Sequence, residues 1–180
     1  MTEDEAEGLE LRLERVLDAP RSVVWRCWTD PALLEQWFGP RSWTTEVKTL
    51  EPRPGGTSHI VMRGPGGELS DGVAVFLDAV PQRRLVFTNA FAPGWIPAGR
   101  PAVVPFMTTV VDLSDADGRT RHVVRALHWT EEDRDRHAEM GFHDGWAQAT
   151  DRLQDLVRTL GHGPADDRIR HLGDIDGDTS

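Results

Sequence analysis

An apolar stripe near the end of the chain is the sequence feature that most constrains the fold. Six apolar side chains are spaced by four, three, four, three and four residues: Phe142, Trp146, Ala149, Leu153, Leu156 and Leu160. This spacing predicts one long amphipathic helix over about 131–160, with a single face that must be buried. Thr130 and Asp133 form a predicted capping box at its start, and Gly161 ends it. The helix therefore needs one broad apolar surface to pack against.

Two glycines lie inside this predicted helix. Gly141 and Gly145 each cost about 1 kcal/mol relative to alanine in a helix interior. A close approach of the helix to its partner surface, or a kink in the helix, would account for them.

Alternating segments earlier in the chain predict that partner surface. Residues 9–13 alternate leucine with charged side chains, which is the period-two pattern of a half-buried strand. Two short helices are predicted next, with Pro20 in the first turn of one and Asp30 as the N-cap of the other. Further strands are predicted near 43–50, 57–63, 68–79, 83–90, 104–114 and 119–130. Clusters of Pro, Gly and Asp between them are typical of tight turns, whereas the prolines of 91–101 argue against a regular element there.

This order of elements predicts an α+β fold. One strand, two short helices, six consecutive strands and a long helix indicate an antiparallel meander, with about seven strands in one sheet. A sheet of that width must twist and curl, and its concave face is the large surface that the C-terminal helix can cover. A straight helix held by a curled sheet leaves a gap at one end, and gaps of this kind hold apolar ligands.

The charge distribution divides the chain into three parts. The formal net charge is −10, and residues 1–10 contribute five acidic side chains while residues 161–180 contribute five Asp against two Arg. We therefore predict an acidic flexible N-terminus at 1–8, a domain at 9–160 and an acidic flexible tail at 161–180. The nearly neutral body has no basic stripe, which excludes nucleic acid as a predicted partner.

Composition also bears on location and cofactors. No stretch approaches the roughly 20 apolar residues of a membrane span, and Met1 is followed by acidic residues rather than a secretory signal. The single cysteine, Cys27, favours a cytoplasmic protein without internal disulfides. His137 and His143 are six residues apart and fall on different helix faces, so neither a metal site nor any other cofactor is predicted. A homodimer remains open.

Several short motifs carry a family resemblance. They are Ala19-Pro20, Val24-Trp25, Trp28-Thr29-Asp30-Pro31, Gln36-Trp37-Phe38-Gly39-Pro40, Arg53-Pro54-Gly55-Gly56, Arg84-Leu85-Val86-Phe87-Thr88 and His137-Ala138-Glu139-Met140-Gly141-Phe142 with Gly145-Trp146. In this order, over about residues 9–160, they resemble the heat-shock-protein-90 ATPase activator-homologue family. That family belongs to the START-like (SRPBCC) superfamily, related to birch-pollen allergens, and the resemblance implies its helix-grip fold.

The resemblance leaves three functions open, because the superfamily mixes lipid carriers, polyketide cyclases and stress proteins. The first is binding of a small hydrophobic or aromatic molecule between sheet and helix, in a stress-related or metabolic role. The second is a cofactor-independent enzyme similar to the polyketide cyclases, and the third is a module that contacts a chaperone. We favour a ligand-binding protein over an enzyme.

Eight residues are predicted to line the cavity. They are His59, Phe87, Trp95, Met107, His122, His128, Phe142 and Trp146. Strand parity turns His122 and His128 to the concave face, where they either contact a ligand or serve as hydrogen-bonded structural residues. His59 can face either way on its strand. Trp95 lies in the proline-rich loop as a candidate lid, and the helix tryptophan Trp146 is either core or cavity wall.

Overall fold

A seven-stranded antiparallel sheet is the framework of the protein, seen in a computed structural model that describes residues 8–99 and 104–161. The strands of the sheet are β1 (Glu10–Leu17), β2 (Thr44–Leu50), β3 (Thr57–Arg63), β4 (Leu69–Val80), β5 (Arg84–Thr88), β8 (Met107–Ala116) and β9 (Arg119–His128). Between β5 and β8, the strands β6 (Phe91–Ala92) and β7 (Ile96–Pro97) form a separate two-stranded hairpin. The helices are α1 (Arg21–Thr29), α2 (Pro31–Trp37), α3 (Glu131–Glu139) and α4 (Phe142–Gly161). The predicted α+β helix-grip fold is confirmed.

The sheet is an antiparallel meander, and the first strand of the chain is added at its edge beside the last strand. Its order is β1-β9-β8-β5-β4-β3-β2, so β2, β3, β4, β5, β8 and β9 lie side by side in chain order and β1 pairs with β9. The β1–β9 register runs without interruption from Glu10 opposite Leu127 to Leu17 opposite Thr120. Because side chains alternate along a strand, this register places Leu11 and Leu13 on the same concave face as the inward residues of β9.

Two predictions about the long helix meet different outcomes. Thr130 Oγ1 accepts a hydrogen bond from the Asp133 backbone N at 3.1 Å, which confirms the predicted cap. The single helix over 131–160 is wrong, because the chain turns at Met140 and Gly141 and forms α3 and α4 instead. Gly141 has φ +91°, a conformation that glycine adopts readily and that ends a helix.

The proline-rich segment also differs from its prediction. Instead of irregular chain, it forms the β6–β7 hairpin, with Phe91 opposite Pro97. Gly94 and Trp95 make the turn, with φ of +82° and +64°. Each strand has only two residues, so a proline at the edge costs few ladder hydrogen bonds. The predicted flexible ends at 1–8 and 161–180 lie almost wholly outside the described residues.

The core fills one end of the concave face. α1 and α2 bury Val24, Cys27, Leu34 and Trp37 against β8, β9 and α4. Trp37 donates a hydrogen bond from its Nε1 to the Cys27 carbonyl oxygen at 2.9 Å. Burial raises the pKa of the Cys27 thiol to about 11, so this cysteine is a packed side chain and not a reactive thiolate. The two short helices thus fill the groove at this end, whereas the other end is covered by the turn between α3 and α4 and by the start of α4.

Candidate ligand cavity

A cavity of about 360 Å³ occupies the other end of the groove. Its floor is the concave face of β3, β4, β5 and β8, and its roof is the turn between α3 and α4 with the start of α4. On α4 the lining positions are Phe142, Gly145, Trp146 and Ala149, which share one helix face. The apolar stripe that predicted the helix therefore serves as core toward its C-terminus and as cavity roof at its N-terminus.

Gly145 keeps this roof open. A Cβ built on Gly145 would have no neighbouring atom within 4 Å, so the glycine does not mark a close approach of helix to sheet. The sequence offered two explanations for the glycines in the predicted helix, a close approach to the sheet or a kink. The close approach is wrong for Gly145, and the kink explains Gly141. The absent side chain enlarges the space between α4 and the sheet.

The sheet wall is apolar with a few hydroxyl and amide groups. Ile60, Met62, Phe87 and Met107 supply apolar surface, while the hydroxyl groups of Ser58, Ser70 and Thr109 lie among them. Asn89 fixes one edge of this wall. Its Oδ1 accepts from the Met107 backbone N at 2.8 Å, and its Nδ2 donates to the Pro105 carbonyl at 3.0 Å. The Asn89 amide is therefore occupied in holding the start of β8.

A pair of histidines stands beside the cavity. His128 ends β9 and lies on the concave face, and His137 on α3 is also buried and lines the cavity. The His128 Nε2 and His137 Nδ1 atoms are 2.9 Å apart. On its other side, the His128 Nδ1 lies 3.1 Å from the Leu9 carbonyl oxygen.

Burial keeps both imidazoles of this pair neutral. Desolvation lowers the pKa of His128, although the hydrogen bond to Leu9 opposes the shift. Desolvation, with a smaller contribution from His128, lowers the pKa of His137 to about 4. At neutral pH the pair therefore presents polar nitrogen atoms without a charge.

The structure brings four of the eight predicted residues together at the cavity: Phe87, Met107, Phe142 and Trp146. His128 has the predicted inward orientation but is outside the cavity lining, and its Nε2 contacts His137, which is a lining residue. Their contact with a ligand stays a prediction.

His122 faces inward as predicted but lies outside the cavity lining, at the filled end of the groove. Its Nε2 accepts a hydrogen bond from the Trp28 Nε1 at 3.2 Å, and burial lowers its pKa to about 4. The His122 Nδ1 has no hydrogen-bond partner among residues 8–99 and 104–161. This arrangement matches the structural alternative given for this histidine.

His59 and Trp95 lie away from the cavity lining. His59 has the opposite strand parity to Ser58 and Ile60, and its Nε2 contacts the Asp71 carboxylate at 2.8 Å. Trp95 is 52% exposed at the tip of the β6–β7 hairpin, where its ring packs edge-on against Phe91. The predicted lid residue therefore covers a different part of the surface, close to Gly55.

Sequence reasoning missed most of the lining residues, and His137 and Gly145 are the two that matter most for the character of the cavity. The sequence shows His137 only in a family motif and as a histidine that does not pair with His143 for metal binding, and the stripe of the long helix gives no reason to place it over β9. Its position depends on the turn at Gly141, which changes the direction of the chain between α3 and α4. The positive-φ glycine was the available signal, but a one-dimensional pattern does not state how far the chain rotates there.

A second, wider depression of about 690 Å³ lies on the outer face of the sheet. Both aspartates in its lining are in ion pairs: Asp112 contacts Arg84 and Arg125 at 2.7 and 3.0 Å, and Asp115 contacts Arg21 at 2.9 Å. These partly exposed ion pairs are in contact with solvent, and we place the candidate site in the apolar cavity.

Two further properties concern ions and membranes. Within residues 8–99 and 104–161, no group of three or more His, Cys, Asp or Glu side chains is arranged to hold a metal ion. No helix in the described part of the chain is long and apolar enough to cross a membrane.

Comparison with known proteins identifies the family. The family model described as "Activator of Hsp90 ATPase homolog 1-like protein" matches residues 18–158, which span the two short helices, the meander and most of α4. The chain belongs to this family. Its resemblance to the family, inferred from short motifs, is thereby confirmed.

Solved structures of bacterial proteins share this fold. A Nitrosomonas europaea protein is 35% identical, with 86% of this chain and 97% of that chain covered and a TM-score of 0.78. Proteins from Mycobacterium smegmatis and Arthrobacter aurescens are 26% and 27% identical, with TM-scores of 0.73 and 0.74. The alignments cover 84% and 94% of this chain and 92% and 95% of those chains. No curated protein matches the chain at a significant level.

Proposed function

We propose that this member of the activator-homolog family binds a small, largely apolar molecule in the cavity between the sheet and α4. The observation that carries the proposal is the cavity itself, about 360 Å³ of space walled by aliphatic and aromatic side chains with few polar groups. Protein interiors are normally close-packed, with few voids larger than a water molecule. A hollow of this size falls within the range of about 300–1,000 Å³ that is typical of small-molecule sites.

The local sequence supports the same proposal. Gly145 occupies a helix position that faces the cavity, although alanine there would stabilise the helix by about 1 kcal/mol. The Met62, Met107 and Met140 side chains also line the space, and methionine adapts its shape to different partners. Small and conformationally adaptable residues at these positions are consistent with a cavity that binds a ligand.

Native mass spectrometry of the purified protein is the first experiment. A retained small molecule, released on denaturation and identified by its mass, is the expected result. The second measurement uses the uncharged dye N-phenyl-1-naphthylamine, whose fluorescence rises when it enters an apolar site of the folded protein, and which an occupant should displace.

A pair of leucine substitutions on α4 decides whether the binding occurs in this cavity. Gly145→Leu directs a bulky side chain into the open space and should reduce dye binding at least ten-fold. Asp151→Leu places the same side chain at an exposed position of the same helix and should leave dye binding unchanged. If both variants bind the dye as the wild type does, while both remain folded, the proposal fails.

A further inference from the structure

The hydrogen bonds of the histidine pair fix where its protons are. The Leu9 carbonyl oxygen accepts from both the backbone N and the Nδ1 of His128, at 3.0 and 3.1 Å, so the His128 Nδ1 carries a proton. Because burial keeps His128 neutral, its Nε2 has no proton and must accept. The donor across the 2.9 Å contact is then the His137 Nδ1.

This chain of donors leaves a lone pair on the cavity side. A neutral His137 with its proton on Nδ1 has a bare Nε2, and this atom has no hydrogen-bond partner among residues 8–99 and 104–161. The Phe142 ring packs edge-on against the His137 ring at 5.1 Å and helps to hold its orientation. Asp133 and Arg134 are the charged groups that act on the pair, and their effects on His128 oppose each other.

The other polar groups of the wall have no fixed preference. The Asn89 amide is used at both ends, and the Ser58 and Thr109 hydroxyl groups can rotate to donate or to accept. Among the lining residues that the structure describes there is no Lys, Arg, Asp or Glu. A charged ligand group would therefore be buried here without a counter-charge, which is costly.

We propose that the His137 Nε2 accepts a hydrogen bond from the occupant, and that the ligand class is uncharged, largely apolar molecules carrying one hydroxyl or N–H donor, such as a phenol. This inference rests on the proposed function, since it names the chemistry of the molecule held in the same cavity. It also gives His128 and Leu9 a role: they set the tautomer of His137 and do not touch the ligand.

Three matched naphthalenes test the ligand class by isothermal titration calorimetry at neutral pH. 2-Naphthol offers a donor, 2-methoxynaphthalene has the same ring without one, and 2-naphthoate carries a negative charge. One neutral hydrogen bond predicts about 3- to 10-fold tighter binding of the naphthol than of the ether. The naphthoate should bind most weakly.

Two substitutions assign the preference to one atom. His137→Asn keeps a short N–H donor directed at His128, and its one acceptor, the Oδ1, is closer to the backbone than the ring Nε2 and does not reach the same position. Naphthol affinity should therefore fall to that of the ether, while ether affinity stays unchanged. His143→Asn changes a histidine that is exposed and outside the cavity lining, and should leave the naphthol preference intact. Equal affinities of naphthol and ether in the wild type would overturn the inference alone, whereas failure of every naphthalene to bind would overturn the proposed function with it.

The tautomer can be read in the free protein, independently of any ligand. ¹⁵N–¹H correlation spectra of the imidazole rings should show His137 with its proton on Nδ1 and a bare Nε2. A proton on the His137 Nε2 at neutral pH would overturn the inference whatever the binding data show.

Discussion

The two ends of the concave groove are built from similar residues and differ in how they are filled. At the filled end, Trp28 and Trp37 meet edge-on with ring centroids 4.8 Å apart, and His122 is enclosed beside them. At the hollow end, Phe142 and His137 meet edge-on at 5.1 Å, but they border the 360 Å³ cavity. Each end thus holds a buried histidine whose pKa burial lowers to about 4. Aromatic and imidazole side chains alone do not distinguish a core from a site.

Trp146 separates the two ends. Its ring stacks against Trp28 with centroids 6.1 Å apart and an interplanar angle of 26°, while the same side chain lines the cavity. On one side of this ring, α1 and α2 supply the side chains that complete the packing. On the other side the cover is the turn between α3 and α4 with the start of α4, where the glycines at 141 and 145 add no side-chain volume. The difference between the ends comes from what covers the sheet, because strand parity is the same in both.

The largest contrast is expected when each end loses a large side chain. Trp37→Ala removes a fully buried ring from the filled end and should lower the free energy of unfolding by about 3–5 kcal/mol. Met107→Ala removes a half-buried side chain that already borders empty space, and should cost less than about 2 kcal/mol. Urea unfolding followed by circular dichroism measures both. Equal losses would show that the hollow end is packed as tightly as the filled end.

The next largest effect is the pH dependence of stability that His122 contributes at the filled end. Burial lowers the pKa of His122 from 6.5 to about 4, so the unfolded chain binds a proton there at a higher pH than the folded protein does. The stabilisation is fully present above pH 6.5 and is lost as the pH falls towards 4, by about 3 kcal/mol in total.

His122→Gln tests this dependence, because glutamine can still accept the Trp28 hydrogen bond but does not titrate. Its free energy of unfolding, measured at a series of pH values, should fall less steeply than that of the wild type over this range. The exposed His143→Gln serves as the control and should keep the wild-type slope. If the free energy of unfolding of His122→Gln falls with pH as steeply as that of the wild type, His122 is not the buried neutral group described above.

The fold was predictable because its signals are local. Pro, Gly and Asp clusters mark the turns of the meander, and alternation along 119–130 places His122 and His128 on the concave face, where both are buried. The cavity was less predictable, because it depends on which end α1 and α2 fill and on the turn at Gly141. Those are relations between distant segments, and a pattern along one strand or helix contains no information about them. Trp95 shows the same limit, since a loop position does not state which surface the loop covers.

The smallest expected difference in stability is between alanine substitutions at the two glycines of the hollow end, and it reports on backbone conformation alone. An added Cβ would meet no atom within 4 Å at either Gly141 or Gly145, so alanine should be neutral in its contacts at both positions. Gly145 lies inside α4, where Gly145→Ala should raise the free energy of unfolding by up to about 1 kcal/mol. Gly141 has φ +91°, where Gly141→Ala should lower it by about 1–2 kcal/mol.

The changes in the free energy of unfolding are measured by thermal and urea unfolding. If Gly141→Ala lowers it and Gly145→Ala raises it, the break at Gly141 sets the backbone geometry while Gly145 provides space. Equal stabilisation by both would mean that α3 and α4 form one continuous helix in solution, as the stripe alone predicts. His137 would then lose its place over His128, because the turn at Gly141 brings α3 back across the end of β9. The difference between the two ends of the groove therefore depends on the backbone conformation of Gly141.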